Sequence, residues 1–110
     1  MIADDVQAPP DWLTRLRFWL WQSPDERRAD RLRRMEALDQ ALQYDPESAT
    51  LRVFRAELRL AEHDHEGAAE DFRLALDLAA EQIASEPWAL VAQVMQDRAR
   101  RGLAKTALRS

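Results

Sequence analysis

Three proline-marked breaks, at Ser23-Pro24, Asp45-Pro46 and Ser85-Glu86-Pro87, divide a chain that otherwise has little to interrupt a helix. Glycine occurs only twice in 110 residues, while Ala, Leu, Arg and Glu, which lose little side-chain freedom in a helix, recur throughout. β-Branched residues are few, so a sheet has little to be built from. The breaks also carry direction. Ser23-Pro24-Asp25-Glu26 supplies a hydroxyl cap, Pro at the first helical position and acids at the positive end of the helix dipole. Asp45-Pro46 closes that helix near Tyr44, because the residue before Pro is pushed out of the helical region. The fold class read from this is all-α.

Apolar residues at spacings of three and four mark the buried faces. Ala29, Leu32, Met35, Leu38, Ala41 and Leu42 stripe the helix after Pro24. Ser48 caps a helix over about 49–62, with Leu51, Phe54, Leu58 and Ala61 on one side. His63-Asp64-His65-Glu66-Gly67 reads as a turn, and Ala68, Ala69, Phe72, Ala75, Leu76 and Ala79 carry the next helix to about Ala84. Ser85-Glu86-Pro87 repeats the cap-and-Pro start, and Trp88, Val91, Ala92 and Met95 are expected to face inward on the last segment. Upstream, residues 1–9 read as a flexible tail and 10–22 as a Trp-rich helix, leaving 24–110 as the main helical domain.

The formal charge is -4, which argues against a nucleic-acid partner held by phosphate contacts. It is unevenly spread: residues 36–86 carry a net -9 and residues 87–110 a net +4, so head-to-tail self-association is electrostatically allowed. With no Cys there is no disulfide framework, thiol nucleophile or thiolate zinc site. The opening Met1-Ile2-Ala3-Asp4-Asp5 lacks the pattern of a secretory signal, and the expected location is cytoplasmic. Asn is absent and Lys105 stands against fifteen Arg, a bias of GC-rich coding that suggests a bacterial source.

Shifted by 34 residues, the chain matches itself: Glu36, Leu38, Ala41, Leu42 and Tyr44 fall on Glu70, Phe72, Ala75, Leu76 and Leu78. Ala56 then occupies the small position of a first helix, Ala68, Phe72 and Ala75 those of a second, and Pro46 a closing position. In these residues the chain resembles the tetratricopeptide repeat family, whose unit is two antiparallel helices in about 34 residues. Arg52, Arg55 and Arg59 depart from the pattern, and Ala80 stands where the closing Pro would be. A clipped third unit places Ala104 and Leu108 on a further helix and a turn near Arg100-Arg101-Gly102. The resemblance implies an α-solenoid of about two and a half repeats, capped by the Trp-rich helix.

It also implies a binding scaffold rather than a catalyst, with a protein or peptide segment taken into a helical groove. On that reading Thr50, Val53, Glu57 and Leu60 face the groove. The family's chaperone-carboxylate grip uses Lys and Asn, which this region lacks. Phe18, Trp19 and Trp21 form a turn apolar on all sides, giving two alternatives to a cap: a homo-dimer surface, or an anchor on a membrane surface. No catalytic, cofactor-binding or metal-binding residues are assigned. His63 and His65 lack a third ligand, Glu66, Glu70 and Asp71 read as a solvated acidic face, and Arg98-Ala99-Arg100-Arg101 as a solvated turn or helix-end compensation.

Overall fold

A computed structural model describes residues 11–13, 15 and 24–108. The chain divides into two compact units, Met1–Asp30 and Arg31–Ser110. In the first, residues 11–13 are helical and Trp12 is exposed. Phe18, Trp19, Trp21 and the expected 1–9 tail lie outside the described residues.

Four helices follow: α1 (Pro24–Tyr44), α2 (Ala49–Ala61), α3 (His65–Ser85) and α4 (Leu90–Ala107). No strand occurs among the described residues, so the chain is all-helical there. Among these residues no helix is long and apolar enough to cross a membrane.

The turns follow from local chemistry. Ser48 Oγ accepts from the Leu51 amide at 3.1 Å and caps α2. The α2–α3 turn is shorter than expected, Glu62-His63-Asp64 only, with His65, Glu66 and Gly67 already in α3. The His63 amide donates to Leu60 O at 3.0 Å and the Asp64 amide to Arg59 O at 2.9 Å. Those two bonds make a Schellman closure, with His63 at its left-handed position, φ 64°. Asp64 then caps α3 by accepting from the Gly67 amide at 3.0 Å. Pro87 does not open a helix. It lies in a turn in which the Ala89 amide donates to Glu86 O, and α4 starts at Leu90 without a side-chain cap.

Pro46 and Pro87 are 41 positions apart, and α1 and α3 are both 21 residues long. The 34-residue match therefore aligns faces, not turns. The additional seven residues make about two helical turns, which bring the same face round again.

In the second unit, Val53, Ala56, Ala68, Phe72, Ala75, Met95 and Ala99 form the core, with Leu60, Leu76 and Leu103 packed against it. Ala56, Ala68 and Ala75 let the helix axes approach closely, and Phe72, wholly buried, fills the space between them. Its burial contributes about 1.5–3 kcal/mol.

α4 runs unbroken through Arg100-Arg101-Gly102, correcting the expected turn, and Ala104 and Leu108 are exposed instead of packed on a further helix. Gly102 is there for space. A Cβ on it would overlap Cζ, Cε1 and Cε2 of Phe72, so the missing side chain is what admits the ring. Only Ala92 and Met95 of the expected inward set are buried, because α4 presents Ala92, Met95, Ala99, Gly102 and Thr106 to the core. Trp88 and Val91 are exposed, as is Leu32 on α1.

Candidate functional site

The three arginines that break the repeat pattern have an internal role. Arg52, Arg55 and Arg59 recur at three and four residues, so one face of α2 presents all three guanidinium groups. They converge on Asp71 of α3, which is 3% exposed. Arg55 grips both carboxylate oxygens, Nε to Oδ2 at 2.8 Å and Nη2 to Oδ1 at 2.9 Å. Its Nη1 donates to Asp39 Oδ1 of α1 at 3.0 Å. Arg59 Nη1 donates to Asp71 Oδ2 at 2.9 Å, and Arg52 stands 3.6 Å from Oδ1 while donating to Pro46 O at 3.2 Å. Asp71 is thus a buried hub, not part of a solvated acidic face. Hydrogen bonding to Asp71 is the main cause holding the Arg55 guanidinium above its ordinary pKa, with burial opposing it. Stability from this raised group is complete below its ordinary value and is lost only at still higher pH.

With those cations engaged, α2 turns a different set of residues outward. Arg34, Ala37 and Leu38 of α1 and Phe54, Leu58 and Ala61 of α2 line an open, mainly apolar groove of 480 Å³, with Glu57 at its edge. Glu57 and Leu60 also border a smaller groove against Arg98, Arg101 and Lys105 of α4. Arg98 joins the two. Its Nε donates to Glu57 Oε2 at 3.1 Å, and its guanidinium lies 5.5 Å from the centre of the Phe54 ring. Arg98 is therefore part of a helix face, not of a turn.

The groove residues expected from the sequence separate. Thr50 is half-buried, and Glu57 is on the open face, paired with Arg98. Val53 is wholly buried, which takes it out of any groove lining, while Leu60 packs against the core and still borders the smaller groove against α4. The cause is rotational: α2 turns Val53 and Ala56 to α3 and α4, so its open side is centred on Phe54, Glu57, Leu58 and Ala61. Phe54 was legible only as core, because an aromatic at helical spacing looks the same on either face. Arg98 as its neighbour depends on a contact between residues 41 positions apart.

His63 and His65 stand with ring centroids 6.2 Å apart. Among the described residues, no group of three or more His, Asp or Glu gathers where it could hold a metal ion. Glu66 and Glu70 lie along a groove beside Arg73 and Leu103, exposed to water.

Compared with models of protein families, with curated proteins and with solved structures, the chain matches none.

Proposed function

We propose that this chain is a non-catalytic protein–protein interaction module, an adaptor or assembly factor built on tetratricopeptide-like helical hairpins. Its partner supplies an apolar segment that lies in the groove between α1 and α2. The observation that carries this reading is the groove itself, with Ala37, Leu38, Phe54 and Leu58 facing open space and Arg34 and Glu57 at its edges. Apolar side chains bind there by leaving water, while the flanking charges set register and exclude wrong partners. Burial of Ala56, Ala68, Phe72 and Ala75 at the helix contacts supports the tetratricopeptide-like part of the reading. So does the helix–turn–helix alternation of α2, α3 and α4.

The test is binding to partners captured from the native host, measured for the wild type, Phe54→Asp and a Tyr44→Asp control. Phe54 is partly exposed and Tyr44 almost fully so, so both variants should keep the far-UV circular dichroism of the wild type. Loss of a partner with Phe54→Asp alone is the expected result. A folded Phe54→Asp variant that keeps every partner overturns the reading.

A further inference from the structure

Along the start of α4 and the turn before it, surface residues follow the order acid, apolar, base. Glu86 is exposed in the turn. Trp88, Leu90, Val91 and Val94 follow, 80%, 70%, 64% and 49% exposed, and then Arg98 and Arg101. Val91, Val94, Arg98 and Arg101 recur at three and four residues and so form one stripe on α4. An apolar cluster this exposed at one place on a small domain marks a contact surface.

The order of charges selects the occupant. With Glu86 in the turn that leads into α4 and Arg101 near the helix's far end, the order acid, apolar, base is its own complement when the segment is reversed. We propose that the chain pairs with a second copy of itself through this stripe, the two α4 helices running antiparallel about a two-fold axis between Val91 and Val94. Val91 then meets the second copy's Val94, and each Arg101 end passes over the other copy's Glu86. Both halves of such a contact are the same patch, so it closes as a dimer. A parallel pairing would set Arg98 and Arg101 against their own equivalents and is disfavoured by like charge. Arg101 pairs with Asp97, but both side chains are mostly exposed, so that pair is weak and Arg101 exchanges partners readily.

Sedimentation equilibrium over a wide concentration range tests the contact, with circular dichroism as the check on folding. The wild type should show a reversible monomer–dimer equilibrium. Val91→Asp should weaken it about tenfold or more. Glu86→Arg and Arg101→Glu should each weaken the homodimer, and an equimolar mixture of the two should dimerise again, since each reversed charge then meets its opposite. The charge pair carries the test even if Val91→Asp disturbs folding. A wild type monomeric at all concentrations overturns the proposal. So does a dimer unmoved by these changes, which would place the contact elsewhere on the chain. Phe54→Asp should leave the dimer intact, so failure here and failure of the groove reading are separable.

Discussion

Helix α3 makes two contacts from one surface, and they are built from different chemistry. Toward α2 it offers Ala68 and Ala75 together with a buried carboxylate held by arginines. Toward α4 the contact centres on the Phe72 ring, seated over Gly102. The ionic contact is directional: the bidentate grip of Arg55 on Asp71 fixes how far α2 can slide or rotate. The apolar contact has no preferred bond direction, so its register depends on a ring meeting a gap. A buried ion pair returns little net stability against an apolar replacement, yet removing one partner is strongly destabilising because the other stays buried and charged. The two contacts should therefore fail in different ways.

The largest effect should come from Phe72→Ala, which empties the point both contacts share; about 4 kcal/mol should be lost in urea unfolding. Since a domain of this kind has only about 5–15 kcal/mol in total, the variant should be near the limit of folding. A loss below about 1 kcal/mol would show that Phe72 does not fill the core as described.

Asp71→Ala separates the contacts. It leaves three guanidinium groups facing an empty site and should remove about 3 kcal/mol. Hydrogen exchange should show α2 amides losing protection before those of α4. The reverse order would contradict the assignment of the latch to α2. Replacing Arg55 by Met and Asp71 by Leu together should recover part of the loss.

Gly102→Ala probes the other side. Overpacking against Phe72 should outweigh the gain in helix propensity and leave the protein about 1 kcal/mol less stable. Combining it with Phe72→Leu should cost less than the two changes added separately, because the smaller side chain makes room. Additivity would mean that the two residues do not touch.

The smallest effect is expected at the turn between α2 and α3. His63→Gly relieves a left-handed residue at the position where glycine is favoured, and the variant should be more stable by up to about 1 kcal/mol. A loss at this site, measured by thermal unfolding, would give the His63 ring a packing role.

Much of this architecture was readable from local rules. Pro46 and Ser48 bound α2 because both act on their own backbone neighbourhood, and Ala56, Ala68, Phe72 and Ala75 announce a close helix contact by size and spacing. The site was less legible. Thr50, Val53, Glu57 and Leu60 occupy roughly the right side of α2, but a difference of one residue rotates a helix face by about 100°, enough to exchange core Val53 for open Phe54. The turn expected near Gly102 rests on the match to a clipped third repeat, whereas the helix runs on and accepts this glycine to admit a ring from α3.

The all-helical character, the breaks at Asp45-Pro46 and His63-Asp64 and the small-residue core of α2 and α3 are determined by the sequence alone, since each depends on residues within a turn or two of one another. Which arginines are internal, which valines are left bare, and whether α4 bends at Gly102 were decided only by tertiary structure. The physical reason is that burial and charge pairing are properties of a neighbourhood: Asp71 is an ordinary helical acid until α2 brings three guanidinium groups to it.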